Sequence, residues 1–439
     1  MQSIDRKPPE WTNKAHRKVV VVGLGYVGLP LAVALARTHD DIELVGFDVS
    51  QSRVDELTAG HDRTGEVEPD ALAAARMQFV TDDEACRGAD IIIVTVPTPV
   101  DDQHRPDFGP LLSASKRLAG WIDAAKRPTI VYESTVYPGA TDEECAPVIE
   151  QVSGLTRGRD FRLGYSPERI NPGDKVHRVD KIVKVIAGED AEVTEELAHL
   201  YGAMTEAGVF RAASIRAAEA AKAIENAQRD INIAFMNEIA QILSKTGVSV
   251  WDVLDAARTK WNFLPFEPGL VGGHCIGVDP YYLSHHAQRM GHDPRVILSG
   301  RGTNDAMGAW IADELHSRIG PDPKRVLLLG ITFKEDVPDV RNSRSIDVID
   351  RLKHHGHDVS VADPLADRAE VEHEYGLALV DPANAAPYDC LVAAVSHADY
   401  RALDADGIAA LTTDDGLVAD LKGIWRGIDL PPGLGRWSL

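Results

Sequence analysis

A β-branched run in KVVVVGLGYVGLPLAVALART breaks at glycines and gives way to apolar residues at helical spacing, which predicts strand, tight turn and helix. IELVGFDVS predicts a second strand. ADIIIVTVPTPV and TIVYESTVYPGATDE open on continuous apolar runs, as a parallel strand buried on both faces requires. FRLGYSPERINPGD adds a short strand and a Pro-bounded loop. From Ala212 the period changes, because SIRAAEAAKAIENAQRDINIAFMNEIAQILSKTG contains no Gly or Pro until Gly247, which predicts one long helix stopped there. RVILSGRGTNDAMGAWIADEL is helical again. RVLLLGITFKEDVPDVRNSRSIDVIDRLKHHGHDVSVADP then resumes strand, loop, helix and strand, and YDCLVAAVSHADY and GLVADLKGIW supply two further short strands. This alternation predicts an α/β chain with two βαβ-type regions separated by a helical one.

The length of 439 residues adds an expectation of two to three domains. With 44% hydrophobic and 26% charged residues the composition is that of a globular protein. A formal net charge of −22 argues against a nucleic-acid or anionic-membrane surface, since both need clustered Lys and Arg. An anionic ligand must therefore be held by local basic residues. The uncharged run from Val19 to Ala36 is long enough to suggest a membrane span, but glycines and a proline interrupt it. The 4 Cys residues, Cys86, Cys145, Cys275 and Cys390, form no CxxC pair, and the polar start MQSIDRKPPEWTNKAHRK reads as a loose arm. A reducing, cytoplasmic setting is expected.

Chemistry enters at Gly23, Gly25 and Gly28, a G-x-G-x-x-G between the first strand and its helix. In that pattern the first glycine turns the chain, the second admits a pyrophosphate, and the third lets helix and strand pack. Asp48 ends the second strand, where a carboxylate accepts a ribose diol and repels a 2′-phosphate, so NAD is expected over NADP. Thr98, Ser134 and Thr135 follow strand ends, placing them at the ligand edge or as simple caps. Glu168 and Arg169 occupy the Pro-bounded loop. Lys222 and Asn226 share a helical face, with Arg229 nearby, which fits either a solvated stripe or a site. Lys334, Arg341 and Arg344 lie in the loop after the first strand of the second βαβ region, suiting either a phosphate or plain surface charge. The pair at 285–286 and the HHGH run at 354–357 bring histidines without the spacing of a closed metal site, so no metal is expected.

Three separated stretches, GLGYVGLP, SPERINPGD and GLVGGHCIGVDPYY, together resemble the nucleotide-sugar (UDP-glucose/GDP-mannose) dehydrogenase family, and the resemblance covers nearly the whole chain. The wording SPERINPGDK and PGLVGGHCIGVDPYYL is most similar to the branch acting on UDP-N-acetylhexosamines. UDP-glucose dehydrogenases typically carry a second Glu shortly after S-P-E, which Ile170 to Gly173 does not supply, and commonly have Ser where His274 stands.

The resemblance implies an N-terminal Rossmann domain over 18–211 after a polar arm (1–17), a central long-helix dimerisation region over 212–318, and a C-terminal Rossmann-like domain over 319–439. It implies NAD as cofactor, a UDP-sugar as substrate and a homodimer. The reaction would be a four-electron oxidation of the sugar's primary alcohol to a uronic acid, for surface polysaccharide synthesis. Cys275 would add to the intermediate aldehyde, because a thiolate is a strong nucleophile near neutral pH. Lys222 would stabilise oxygen charge, Asn226 and Asp279 would position it and a water, Glu168 would be the base for thioester hydrolysis, and Thr135 would hold the water. Arg169, Arg229, Gly272 and Lys334 would contact the nucleotide sugar alongside Glu168, Lys222 and Asn226. Gly23, Gly25, Tyr26, Val27, Gly28, Asp48, Arg53, Thr98, Thr135 and Arg341 would line NAD. Rival readings are a two-electron dehydrogenase, which needs no nucleophilic Cys, and a non-catalytic NAD-binding protein. The sugar expected is UDP-N-acetylglucosamine or UDP-N-acetylgalactosamine, with UDP-N-acetylmannosamine or UDP-glucose as the alternative.

Overall fold

A computed structural model describes residues 17–101, 103–169, 179–273, 276–385 and 387–439. The N-terminal arm, the INPGD part of the Pro-bounded loop, His274 and Cys275 lie outside them. The chain forms two compact units, Met1–Glu225 with Tyr281–His292, and Asn226–Pro280 with Asp293–Leu439.

In the first unit, strands β1 (Arg17–Val22), β2 (Ile42–Phe47), β3 (Met77–Val80), β4 (Ile91–Val94), β5 (Thr129–Tyr132), β6 (Arg162–Tyr165), β7 (Lys184–Gly188) and β8 (Val209–Arg211) form one sheet. Their order is β3-β2-β1-β4-β5-β6-β7-β8, parallel except that β7 runs antiparallel to β6. The chain reverses its winding at β1 and β4, which pair Val19 with Ile91 and Val22 with Val94. Alternate strand residues face opposite ways. Val20, Val22, Ile92 and Val94 belong to one core cluster, and Val19, Val21, Ile91 and Ile93 to another. Both faces are covered, which is why these strands read as unbroken apolar runs. The run from Val19 to Ala36 divides into β1 and helix α1 (Gly28–Thr38). No helix among the described residues is long and apolar enough to cross a membrane.

The long helix α2 (Ile215–Ser244) ends before Gly247, whose φ of +71° is the left-handed turn that favours glycine. Helix α3 (Asp279–Arg289) follows the glycine-rich stretch. In the second unit, helix α4 (Arg295–Ile319) packs against α2, so closely that a Cβ on Gly300 would lie 3.2 Å from the Ile231 side chain. Strands β9 (Arg325–Leu329), β10 (Asp358–Ala362), β11 (Tyr388–Ala393), β12 (Thr412–Asp420) and β13 (Gly435–Ser438) form a parallel sheet ordered β10-β9-β11-β12-β13. Helix α5 (Ser345–His354) connects β9 to β10. Its switch point lies between β9 and β11, the counterpart of β1 and β4 in the first sheet.

Candidate active site

In the first unit the glycine turn sits at the switch point. Gly23 has φ +92°, and a Cβ on Gly28 would lie 1.8 Å from the Gly23 carbonyl and 2.3 Å from Thr95 Oγ1. Only glycine fits there. Thr95 Oγ1, which donates toward the carbonyls of Val22 (3.0 Å) and Gly23 (2.8 Å), holds the turn from β4. Gly25 is exposed, with nothing within 4 Å of its would-be Cβ, and α1 begins beyond Val27 with no side-chain cap. An open helix N-terminus beside a bare backbone suits a pyrophosphate. Asp48 accepts from Leu24 N (2.9 Å) and Ser50 N (2.9 Å), so its carboxylate is fixed at the end of β2 beside the turn. Arg53 is buried and donates to the Leu24 carbonyl (2.9 Å), Glu56 (2.9 Å) and Asp62 (2.7 Å), bracing the turn from behind. Tyr26 and Val27 are half-buried at the start of α1, and Thr98 is half-buried beyond β4. These residues form a cradle fit for a dinucleotide.

Beyond β5 and β6 the same unit buries a charged group. Lys184, on β7, donates to Glu133 (2.8 Å) and is ion-paired with Glu168, and the three side chains are each no more than 1% exposed. Tyr201 also donates to Glu133. Lys222 donates to the Glu133 carbonyl at 2.9 Å. Burial pushes the Glu168 carboxyl up, but the Lys184 charge and hydrogen bond outweigh it and hold the carboxyl below its ordinary range. Glu133 moves the other way, because burial and the neighbouring Glu168 outweigh the pull of Lys184. Lys184 itself is raised: burial disfavours its charge, but the two carboxylates prevail. Thr135 is buried just after Glu133, and Arg169 pairs with Glu225 of α2 at 2.5 Å. Lys222 is buried, which excludes a solvated stripe at that position.

Asn226, one turn after Lys222 on α2, belongs to the second unit, where it donates to the carboxylate of Asp279 at the start of α3. Both are buried, and Arg229 is half-buried. Gly272 and Gly273 are required by this chain's own packing. A Cβ on Gly272 would lie 2.4 Å from the Asn342 carbonyl; Gly273, at φ +83°, would bring one 2.7 Å from the Phe333 ring. Gly272 and Gly273 are thereby seated on the loop that follows β9.

That loop lines a pocket with Leu270 and Gly272, to which Lys334, Arg344 and Lys422 bring positive charge against the single carboxylate of Glu335, and Thr332, Ser343, Ser345 and Ser396 bring hydroxyls. It opens at the switch point of the second sheet and at the N-terminus of α5, both suited to phosphate. Buried His397 supports the loop. Its Nδ1 accepts from Asp336 N (3.0 Å), and its Nε2 lies 3.1 Å from Asp363, which in turn accepts from Ile331 N (2.7 Å). Arg341 is paired with Asp339 at 2.8 Å outside this lining.

Glu133, Lys184, Tyr201 and Lys422 were not singled out in the sequence. Lys184 had a local sign, a charged residue inside the apolar run VKVIAG; its partners, far away in the chain, had none.

Two sheets with switch-point sites, one shaped for a dinucleotide and one basic enough for a diphosphate, define a protein built to bind two nucleotides. Residues 17–205 match the NAD binding domain of the UDP-glucose/GDP-mannose dehydrogenase family, 216–306 its central domain and 327–427 its UDP binding domain. The chain belongs to that family, and is a nucleotide-sugar dehydrogenase with NAD as cofactor. It is 48% identical to protein CapL of Staphylococcus aureus over 97% of this chain and 100% of that protein. It is 47% identical to UDP-N-acetyl-D-glucosamine 6-dehydrogenase of Pseudomonas aeruginosa over 92% and 96%. Among solved structures, UDP-D-ManNAc dehydrogenase of Pyrococcus horikoshii is similar with a TM-score of 0.84 at 25% identity, covering 95% of this chain and 98% of that one.

Proposed function

We propose that the protein oxidises C6 of a UDP-N-acetylhexosamine, UDP-N-acetylglucosamine or its C4 epimer, from alcohol to carboxylate through a thioester on Cys275. The observation that carries the sugar assignment is the 47% identity to a UDP-N-acetyl-D-glucosamine 6-dehydrogenase over nearly both chains, against 25% for the mannosamine enzyme of known structure. NAD, when bound, would supply the hydride acceptor for C6, and two NAD molecules taken in succession would balance the two oxidations.

The chain's own groups divide the remaining work. Lys222, held by the Glu133 carbonyl, supplies the ammonium that stabilises a developing alkoxide. The first oxidation converts the alcohol to an aldehyde with release of one proton. The Cys275 thiolate then adds to the aldehyde carbon and makes it tetrahedral, so that hydride loss again becomes feasible and leaves a thioester. Water attacks the thioester, its proton passes to Glu168, and the thiolate leaves. Glu168 suits a base because Lys184 keeps it ionised within a buried site. Asn226 and Asp279, which form a hydrogen-bonded pair, are assigned to positioning the water. Lys334, Arg344 and Lys422 hold the diphosphate, with Arg169 and Arg229 assigned to the remaining substrate contacts and Arg341 to the cofactor.

The domain boundaries at 211/212 and 318/319 belong to this reading. So does a homodimer built on α2, which exposes Phe235 (53%) and Ile242 (51%) two turns apart as an apolar stripe. The product would supply glycosyl transfer into surface polysaccharide from the cytoplasm, where NAD and UDP-sugars are made. The test is a panel of UDP-N-acetylglucosamine, UDP-N-acetylgalactosamine, UDP-N-acetylmannosamine and UDP-glucose compared by kcat/KM. Preference for either of the first two supports the assignment, and preference for either of the others overturns it.

A further inference from the structure

We propose that Asp305 and Asn237 are positioning residues at the two ends of one buried polar chain, which places the nucleotide-facing Arg344 and the start of the cysteine loop together. The chain lies wholly within the second unit. At one end, the Asn237 side-chain amide grips the backbone of Gly269 from both sides, accepting from its N–H at 2.7 Å and donating to its carbonyl at 3.0 Å. Gly269 opens the stretch GLVGGHC, and its φ of +155° would strain any other residue. The same Asn237 Nδ2 donates to Asn304 Oδ1 at 2.8 Å. Asn304 donates onward to Asp230, at 2.7 Å to the carboxylate and 3.0 Å to the backbone carbonyl. Asp230 is ion-paired with Arg301. Arg301 donates to Asp305 Oδ1 at 2.5 Å, and that oxygen also accepts from Arg344 at 2.7 Å. Arg344, further steadied by Asp347 at 3.2 Å, lines the basic pocket.

Burial gives this chain its meaning. Asn237, Asn304, Asp230 and Arg301 are each no more than 2% exposed. A buried ion pair is poor value as a source of stability, since apolar residues of similar volume commonly do as well or better; what such groups supply is fixed geometry. Here the geometry reaches two places that must act on one substrate: Arg344 meets its phosphates, and the loop from Gly269 carries Cys275. The long helix α2 also bears Asn226, one turn before Asp230, so the chain is referenced to an element that already carries a site residue. A shift of Asp305 moves two arginines at once, because both share one of its oxygens.

The inference rests on Cys275 being the nucleophile, as proposed above, and its test uses readouts that survive if that reading fails. In the full-length protein, Asp305→Asn, Asp305→Glu and Asn237→Ser are compared with the wild type. UDP affinity is measured by calorimetry, KM for sugar nucleotide and for NAD by kinetics, and Cys275 reactivity by iodoacetamide alkylation. The other three thiols, Cys86, Cys145 and Cys390, are buried and pushed up to about 12, so they stay silent in alkylation near neutral pH. Asp305→Asn is expected to weaken UDP binding about tenfold, as loss of a charge-assisted hydrogen bond does, with KM for NAD unchanged and part of the loss restored in Asp305→Glu. It is also expected to change the alkylation rate at Cys275, and Asn237→Ser to weaken UDP, by at least about threefold each, the size of coupling found within one polar network. Wild-type UDP affinity in Asp305→Asn overturns the proposal. So does an effect of each substitution confined to its own end, or a lowered melting temperature with both readouts unchanged. Because the Asp305 side chain is 26% exposed, Asp305→Asn keeps the test standing should Asn237→Ser not fold. Persistent acid formation by Cys275→Ser would remove the nucleophile assignment while leaving the UDP measurements to judge the chain.

Discussion

Lys184 and Glu168 form an ion pair whose side chains are each 1% exposed. Breaking a buried pair leaves the other charge without its partner, at a cost of about 3–5 kcal/mol. Lys184→Met should therefore lower the melting temperature. It should also let desolvation raise the Glu168 carboxyl, so that kcat near pH 7 falls and recovers as pH rises. A pH–kcat profile that keeps its wild-type shape would separate Lys184 from the base.

Glu219 gives a second pH effect, this one on stability. It is fully buried, accepting from Gly139 N (2.5 Å) and Thr141 N (3.0 Å), and burial outweighs those bonds to push its carboxyl up to about 7. Below about pH 4.5 both folded and unfolded forms hold the proton; above it the unfolded chain ionises first. Stability is thus present at low pH and lost as pH rises through about 7, by about 3 kcal/mol from this group. Glu219→Gln should remove that loss, so its advantage in denaturant unfolding should grow from pH 5 to pH 8. An advantage independent of pH would show that Glu219 does not titrate in this range.

The Asp48 carboxylate, fixed by Leu24 N and Ser50 N, stands beside the open glycine turn. Asp48→Ala should weaken NAD about tenfold through the lost hydrogen bonds and reduce discrimination against NADP. KM values for the two cofactors decide it, and unchanged selectivity would remove Asp48 from the ribose.

Cys275→Ser should slow acid formation by on the order of a thousandfold or more, because a serine hydroxyl is little ionised near pH 7. NAD affinity should be unchanged, because Cys275 is not among the residues assigned to the cofactor. Chromatographic detection of the uronic acid at wild-type rates would end the thioester route.

The parts legible in the sequence were those with local causes. The glycine turn shows because a Cβ on Gly28 would collide with Gly23, and the first strands show because both sheet faces are covered. Lys222 was ambiguous, since spacing along α2 shows which residues share a face but not which face is buried. The Glu133–Lys184–Glu168 group was invisible for a different reason. Its members come from separate strand ends and meet only after β6 and β7 pair antiparallel. The glycines before Cys275 carry a packing requirement with no local sign in the sequence, because a Cβ there would meet the Asn342 carbonyl and the Phe333 ring, both far away in the chain.

The most direct measurement of the central claim is the number of NADH formed per molecule of UDP-N-acetylglucosamine consumed to completion, with the product identified by mass spectrometry. Two NADH and a uronic acid are predicted. One NADH with an accumulating aldehyde would contradict the account.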